Sequence, residues 1–154
     1  MTKQHFAYEP YLWDVSVYYD VDCRDTDRIL SELKGIGCYG DNLFRARQNI
    51  ESCTPNNGVT FANLSTKEMV VVITKTTSSQ EFFNTLIHEL HHMAEFVAKA
   101  DNLPMVGEEI SYIAGGLGML MWPKARHYMC DKCRTKNKDN NEKIYRFRSF
   151  RRGE

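Results

Sequence analysis

The sequence lacks a long apolar run, a net charge and an even number of cysteines. Its longest weakly polar segment, IAGGLGMLMW at 113–122, contains three glycines and is too short to cross a bilayer. Acidic and basic residues number 20 each, so the whole chain does not behave as a polyelectrolyte. The first residues show no basic start followed by an apolar stretch. No signal peptide or membrane contact is therefore predicted, and a cytoplasmic protein is expected.

An odd cysteine count argues against a complete disulfide framework. The five cysteines are Cys23, Cys38, Cys53, Cys130 and Cys133. We therefore expect reduced thiols. Cys130 and Cys133 form a C-x-x-C pair, which is half of the four ligands that a structural zinc site needs. We favour two unpaired or transiently oxidised thiols over half of a zinc site.

Residue patterns predict an α+β fold in which a short antiparallel sheet packs on two long helices. Val- and Tyr-rich segments predict a strand at 12–21 and a hairpin formed by 59–63 and 68–75. Apolar stripes predict two short helices, at 25–37 and 41–50. Two long helices are predicted over 79–100 and 106–121, the first of them capped by Ser78.

The first long helix contains HELHH at 88–92. His88 and His92 are four residues apart, so both side chains lie on one helix face. Two imidazoles in this arrangement are able to bind one metal ion at roughly 2.0–2.1 Å. Glu89 lies about 100° around the helix, where it is able to act as general base on a metal-bound water. A solvated, histidine-rich helix face is the alternative, and His91 is expected at the surface.

A catalytic zinc ion needs a third protein ligand and one open position. The second long helix offers two carboxylates, Glu108 and Glu109. Glu108 shares a face with Tyr112, away from the apolar side of this helix, so Glu108 is preferred and Glu109 is the alternative. Three glycines in the same helix are expected to let the two long helices approach closely: Gly115, Gly116 and Gly118.

HELHH followed by EEISYIAG at 108–115 resembles the thermolysin-like gluzincin metallopeptidases. The residues that match the second motif of this family in register are Glu108, Ile110 and Ser111. The resemblance covers about residues 68–122 and implies a small zincin-like fold. The spacing between the two motifs is shorter than in thermolysin, so this chain resembles a reduced version.

The resemblance implies a Zn²⁺ ion held by His88, His92 and Glu108, with Glu89 as general base. It also implies that the strand before the helix, Met69–Thr74, presents a sheet edge to an extended peptide.

Two further roles follow from the same resemblance. Tyr112 stands where the family has an acidic residue beside a metal ligand, and it is expected to form a hydrogen bond with His88. A downstream His or Tyr stabilises the oxyanion in peptidases of this kind. His127 and Tyr128 are the candidates for this role.

The predicted function is zinc-dependent hydrolysis of a peptide or protein substrate. The alternative is a zincin-like binding or structural protein without turnover, of the type found in phages and mobile elements. Glu89 has no evident structural role at its helix position, which favours the enzyme.

The predicted catalytic domain covers residues 1–123, and a basic C-terminal extension covers residues 124–154. The extension contains eleven basic and four acidic residues and is predicted to contact an acidic partner or to pack on the same domain. Within it, IYRFRSF at 144–150 is interpreted as an edge strand or a flexible tail. Its alternating Arg and aromatic residues also allow contact with nucleic acid.

Overall fold

A mixed four-stranded sheet with helices on both faces forms the centre of the molecule. The computed structural model describes residues 1–133, so the edge strand expected at 144–150 lies outside the described residues. In chain order the elements are β1 (Thr2–Tyr8), β2 (Trp13–Val21), α1 (Thr26–Gly35), α2 (Gly40–Glu51), β3 (Gly58–Asn63), β4 (Glu68–Thr74), α3 (Ser79–Ala100) and α4 (Glu108–Ala125). The predicted α+β class is confirmed.

The strand order is β1-β2-β4-β3. β2 and β4 run parallel, whereas β1 with β2 and β3 with β4 are antiparallel. The expectation of a purely antiparallel sheet is therefore wrong. β4 lies in the interior of the sheet, so the expectation that Met69–Thr74 presents an edge is also wrong. Every residue from Met69 to Thr74 is buried, as is typical of a strand covered on both faces.

Alternation of side chains along β2 divides the core into two layers. Val15, Val17 and Tyr19 pack with the buried face of α3 and α4. Tyr18 lies on the opposite face and packs with α1 and α2. Four helices therefore cover the sheet. The two shorter helices were predicted, but their position on the face opposite α3 and α4 was not.

The first strand and the last helix of the described chain differ from the predicted elements. β1 was not predicted, and it pairs with β2 along its whole length, from Thr2 opposite Tyr19 to Tyr8 opposite Trp13. α4 continues to Ala125 with Pro123 inside the helix, so the predicted domain boundary at residue 123 falls within a helix.

The glycines of α4 face different neighbours. A Cβ atom added at Gly116 would lie 2.8 Å from the hydroxyl oxygen of Tyr8, so this glycine permits close contact with β1. A Cβ atom added at Gly118 would lie 3.5 Å from Leu90 of α3, an ordinary contact distance. The expectation that these glycines serve the approach of α3 and α4 is wrong for Gly116.

A disulfide joins Cys23 and Cys53, whose Cα atoms are 4.9 Å apart. It connects the segment after β2 to the segment after α2, so the expectation of reduced thiols is wrong for these two residues. Among the described residues, no helix combines the length and apolar character needed to cross a membrane.

Candidate functional site

The HELHH segment lies in the middle of α3, a 22-residue helix that begins after β4. The backbone N–H of Glu81 donates a 3.1 Å hydrogen bond to the hydroxyl of Ser78, so the predicted N-cap is confirmed. His88 is exposed and His92 is half-buried, whereas Glu89 is only 2% exposed. The three side chains nevertheless line the same cavity.

The two predicted histidine ligands converge. Nε2 of His88 lies 3.0 Å from Nε2 of His92, and the ring planes are 89° apart. Two nitrogen ligands on one tetrahedral zinc ion at 2.0–2.1 Å are about 3.3 Å from each other. The observed 3.0 Å is the length of an N–H···N hydrogen bond between the two rings and is about 0.3 Å shorter than the spacing of two zinc ligands, so a zinc ion would replace this hydrogen bond.

Glu95 favours the tautomer of His92 that carries its proton on Nδ1. Its carboxylate lies 3.3 Å from Nδ1 of His92 and 3.2 Å from Nε2 of His91. A proton on Nδ1 of His92 satisfies the contact with Glu95 and leaves a lone pair on Nε2, directed towards His88. A carboxylate behind the imidazole is the usual support of a metal-binding histidine.

Glu89 is held by residues of β3. The hydroxyl of Thr60 donates a 2.6 Å hydrogen bond to Oε2 of Glu89. A Cβ atom added at Gly58 would collide with the same carboxyl group, so any larger residue there requires the Glu89 side chain or β3 to move. Burial raises the pKa of Glu89, while the hydrogen bond from Thr60 and the two histidines oppose that rise. The view that Glu89 has no structural role is wrong, because it is a buried group in contact with the sheet.

α2, β3 and α3 enclose a cavity of about 470 Å³ beside these residues. Its volume is within the range typical of small-ligand sites. α2 contributes three polar side chains that sequence analysis did not identify: Asn42, Arg45 and Asn49. Their spacing of three and four residues would have placed them on one helix face, but nothing in the sequence showed that this face lies opposite the histidines.

The other predicted site residues do not line this cavity. Glu108 is exposed, and its carboxylate accepts a 3.4 Å hydrogen bond from the hydroxyl of Tyr112. Glu109 and His127 are exposed as well. Residues 1–133 contain no group of three His, Cys, Asp or Glu side chains placed to hold a metal ion. The histidine pair is thus brought together, whereas the assignment of Glu108 as third ligand stays a prediction.

Tyr128, the second candidate for oxyanion stabilisation, belongs to an aromatic cluster. Its ring stacks on Tyr19 and Phe82 at centroid distances of 5.6 and 5.1 Å. Its hydroxyl donates a 3.1 Å hydrogen bond to the hydroxyl of Thr2. These contacts anchor the end of α4 to the sheet and α3, which is a packing role.

Cys130 and Cys133 lie after α4. The backbone N–H of Cys133 donates a 3.0 Å hydrogen bond to the carbonyl oxygen of Cys130. Hydrogen bonds from Cys133 hold the pKa of the exposed Cys130 thiol below its ordinary value. A lowered pKa increases the fraction of Cys130 that is thiolate, the form that reacts with oxidants and disulfides.

The described geometry consists of two converging imidazoles, a buried carboxylate that contacts the edge strand, and a cavity lined by amide groups and one guanidinium. No protein-family model matches the chain, and neither a curated protein nor a solved structure matches it.

Proposed function

We propose that this chain is a zinc-dependent hydrolase that cleaves peptide bonds, with His88 and His92 as metal ligands and Glu89 as general base. One observation supports this proposal above all. The imidazole nitrogens approach to 3.0 Å in the cavity that Glu89 also lines. Glu95 supports the ligand tautomer of His92.

Bound zinc supplies Lewis acidity, which eases the loss of a proton from water at neutral pH. Glu89 accepts this proton on one carboxylate oxygen while Thr60 holds the other oxygen. Burial raises the pKa of Glu89, so its carboxylate is a stronger base than an exposed one, and the protonated form is then able to protonate the leaving amine.

An extended peptide fits the position of β3. This strand is at the edge of the sheet, and its residues from Gly58 to Phe61 line the cavity. A peptide that pairs with the outer edge of β3 would pass over Glu89 and the histidines, and such pairing is a common mode of peptide recognition.

The zinc proposal requires a third protein ligand. Glu108 is proposed for this role by family resemblance alone, and its carboxylate contacts Tyr112 in the described structure. Residues 1–133 contain no three-residue ligand group, and the second candidate function requires none. In that case the chain is a zincin-like binding or structural protein that retains the cavity without turnover.

The test combines metal analysis with hydrolysis. We expect the wild-type protein, purified without chelator, to contain about one zinc per chain and to cleave members of a peptide library. His88→Ala and His92→Ala should each lose most of the zinc and the cleavage. His91→Ala is the matched control, because His91 does not line the cavity and should leave both properties intact.

Zinc content below about half an ion per chain in the wild type would contradict the proposal. Stoichiometric zinc without cleavage of any peptide would instead support the binding protein.

A further inference from the structure

The cavity wall opposite the histidines is formed by one face of α2. Asn42, Arg45 and Asn49 line the cavity from this face, and Asn57 lines it from the segment before β3. Amide groups donate and accept hydrogen bonds, whereas a guanidinium donates only and recognises planar oxygen pairs. The wall is therefore suited to a ligand with an anionic group.

Arg45 is the one arginine among residues 1–133 that lines the cavity, and it differs in its partners from Arg24 and Arg47. Arg24 forms an ion pair with Asp22, and Arg47 with Glu51, each at 2.6 Å. Arg45 has no ion pair with any residue in 1–133. It is therefore an exposed cation on the cavity wall that is available to an incoming group.

The other residues that line the cavity determine the polarity around a bound anionic group. Glu89 is the only carboxylate that lines the cavity among residues 1–133, and it is engaged by Thr60. Phe61 and Phe96 also line the cavity and provide apolar surface. A ligand that combines a carboxylate with an aromatic or aliphatic side chain matches both kinds of wall.

We propose that Arg45, flanked by Asn42 and Asn49, forms a carboxylate-binding subsite that selects peptides with an anionic group next to the bond to be cleaved. This substrate class rests on the proposed function. Two sources supply the same chemistry, namely a free peptide C-terminus and an Asp or Glu side chain.

The first experiment measures binding and needs no turnover. The probe is 3-phenylpropionate, which combines a carboxylate with a phenyl ring, and it is compared with 3-phenylpropionamide by calorimetric or NMR titration. We expect the acid to bind at least tenfold more tightly than the amide, as a charge-assisted hydrogen bond provides about that factor. Arg45→Ala should abolish this preference, and Arg45→Lys should retain part of it.

Arg47→Ala is the matched control, because this arginine is two residues away on α2 and does not line the cavity. It should leave the preference unchanged. Equal binding of acid and amide to the wild type would overturn the subsite. A preference for the acid that survives Arg45→Ala would also overturn it. If a chelator then removes that surviving preference, the carboxylate binds a metal ion and not Arg45. Circular dichroism of Arg45→Ala checks that α2 is intact.

The second experiment separates the two carboxylate sources. Peptides with free and amidated C-termini are compared, and peptides with internal Asp or Glu are compared with their Asn or Gln equivalents. Loss of cleavage on amidation alone assigns the subsite to the C-terminus, and loss on Asp→Asn alone assigns it to a side chain. Cleavage that is insensitive to both changes would overturn the inference. An acid preference in the binding assay without any cleavage would overturn the proposed function and leave the subsite standing.

Discussion

The hydroxyl of Thr60 on β3 lies 2.6 Å from Oε2 of Glu89 on α3, so the edge strand of the sheet directly contacts the proposed general base. This hydrogen bond joins positions that are 29 residues apart. It orients the carboxylate and compensates part of the cost of burying it. The geometry of the base therefore depends on the sheet as well as on its own helix.

Replacing Glu89 by Gln should remove catalysis without removing zinc. Gln keeps the shape of the side chain but cannot accept the proton from water. We expect kcat/KM to fall by about 10²- to 10⁴-fold, the usual contribution of a general base, while zinc content stays at the wild-type value. Kinetics on a cleaved library peptide and metal analysis measure the two effects. Glu51→Gln, at the surface end of α2, is the control. A fully active Glu89→Gln variant would refute the assigned base.

Gly58→Ala should disturb the site through packing alone. The new Cβ atom would collide with the carboxyl group of Glu89, so either the side chain or β3 must move. We expect a loss of roughly 1–3 kcal/mol in the free energy of unfolding, typical of overpacking, and at least a tenfold loss of hydrolysis.

Gly115→Ala is the opposite case, because no atom outside its own helix lies within 4 Å of an added Cβ. It should stabilise α4 by about 1 kcal/mol. Denaturant unfolding measures both variants, and equal stabilities for the two would contradict the close approach at Gly58.

The pH dependence of stability should reveal the burial of Glu89. Burial raises its pKa in the folded state, so the folded protein binds more protons than the unfolded one above the ordinary Glu pKa of about 4.3. The contribution of Glu89 to the free energy of unfolding is thus fully present below its ordinary pKa. It is lost as the pH rises through the higher pKa that Glu89 has in the folded state. Metal-free wild type should lose stability relative to Glu89→Gln over this window. Thermal unfolding at stepped pH values measures the difference, and parallel curves would exclude a raised pKa.

The disulfide should stabilise the fold from outside the cavity. Cys23 and Cys53 close a loop with a sequence separation of 30, so Cys53→Ser should cost about 3–4 kcal/mol of unfolding free energy. Cys130→Ser, at an exposed position, should cost close to nothing. Denaturant titrations with and without reductant measure the free energy of unfolding of the wild type and of both variants. A wild-type protein whose stability is unaffected by reductant would contradict the pairing.

Sequence patterns predicted the local elements well because each depends on neighbours within the same segment. The bounds of α3 follow from the Ser78 cap and the apolar spacing, and β2 follows from its Val and Tyr residues. β1 was missed because only one of its seven residues is buried, and TKQHFAY mixes polar and apolar types. Its strand conformation depends on pairing with β2, which its own composition does not indicate.

The buried face of α3 shows where reasoning from one helix is insufficient. The apolar spacing along α3 places Phe83 and Ile87 with its core residues, yet these two side chains are 53% and 49% exposed. α3 packs against the sheet on one side and α4 on another, so its buried arc extends to Thr85 and Glu89. A buried glutamate is not predictable from its own helix when Thr60 and Gly58 supply its environment.

The position of β4 between β2 and β3 has a consequence for the assembly of the site. Two separate stretches of chain, 38–61 and 88–96, supply the whole cavity lining, and β4 lies between them in the sequence. A fragment that begins at β4 would include all of HELHH but neither Thr60 nor Arg45. The five-residue motif therefore supplies one part of the cavity lining, and the cavity forms only when the earlier stretch of chain has folded against it.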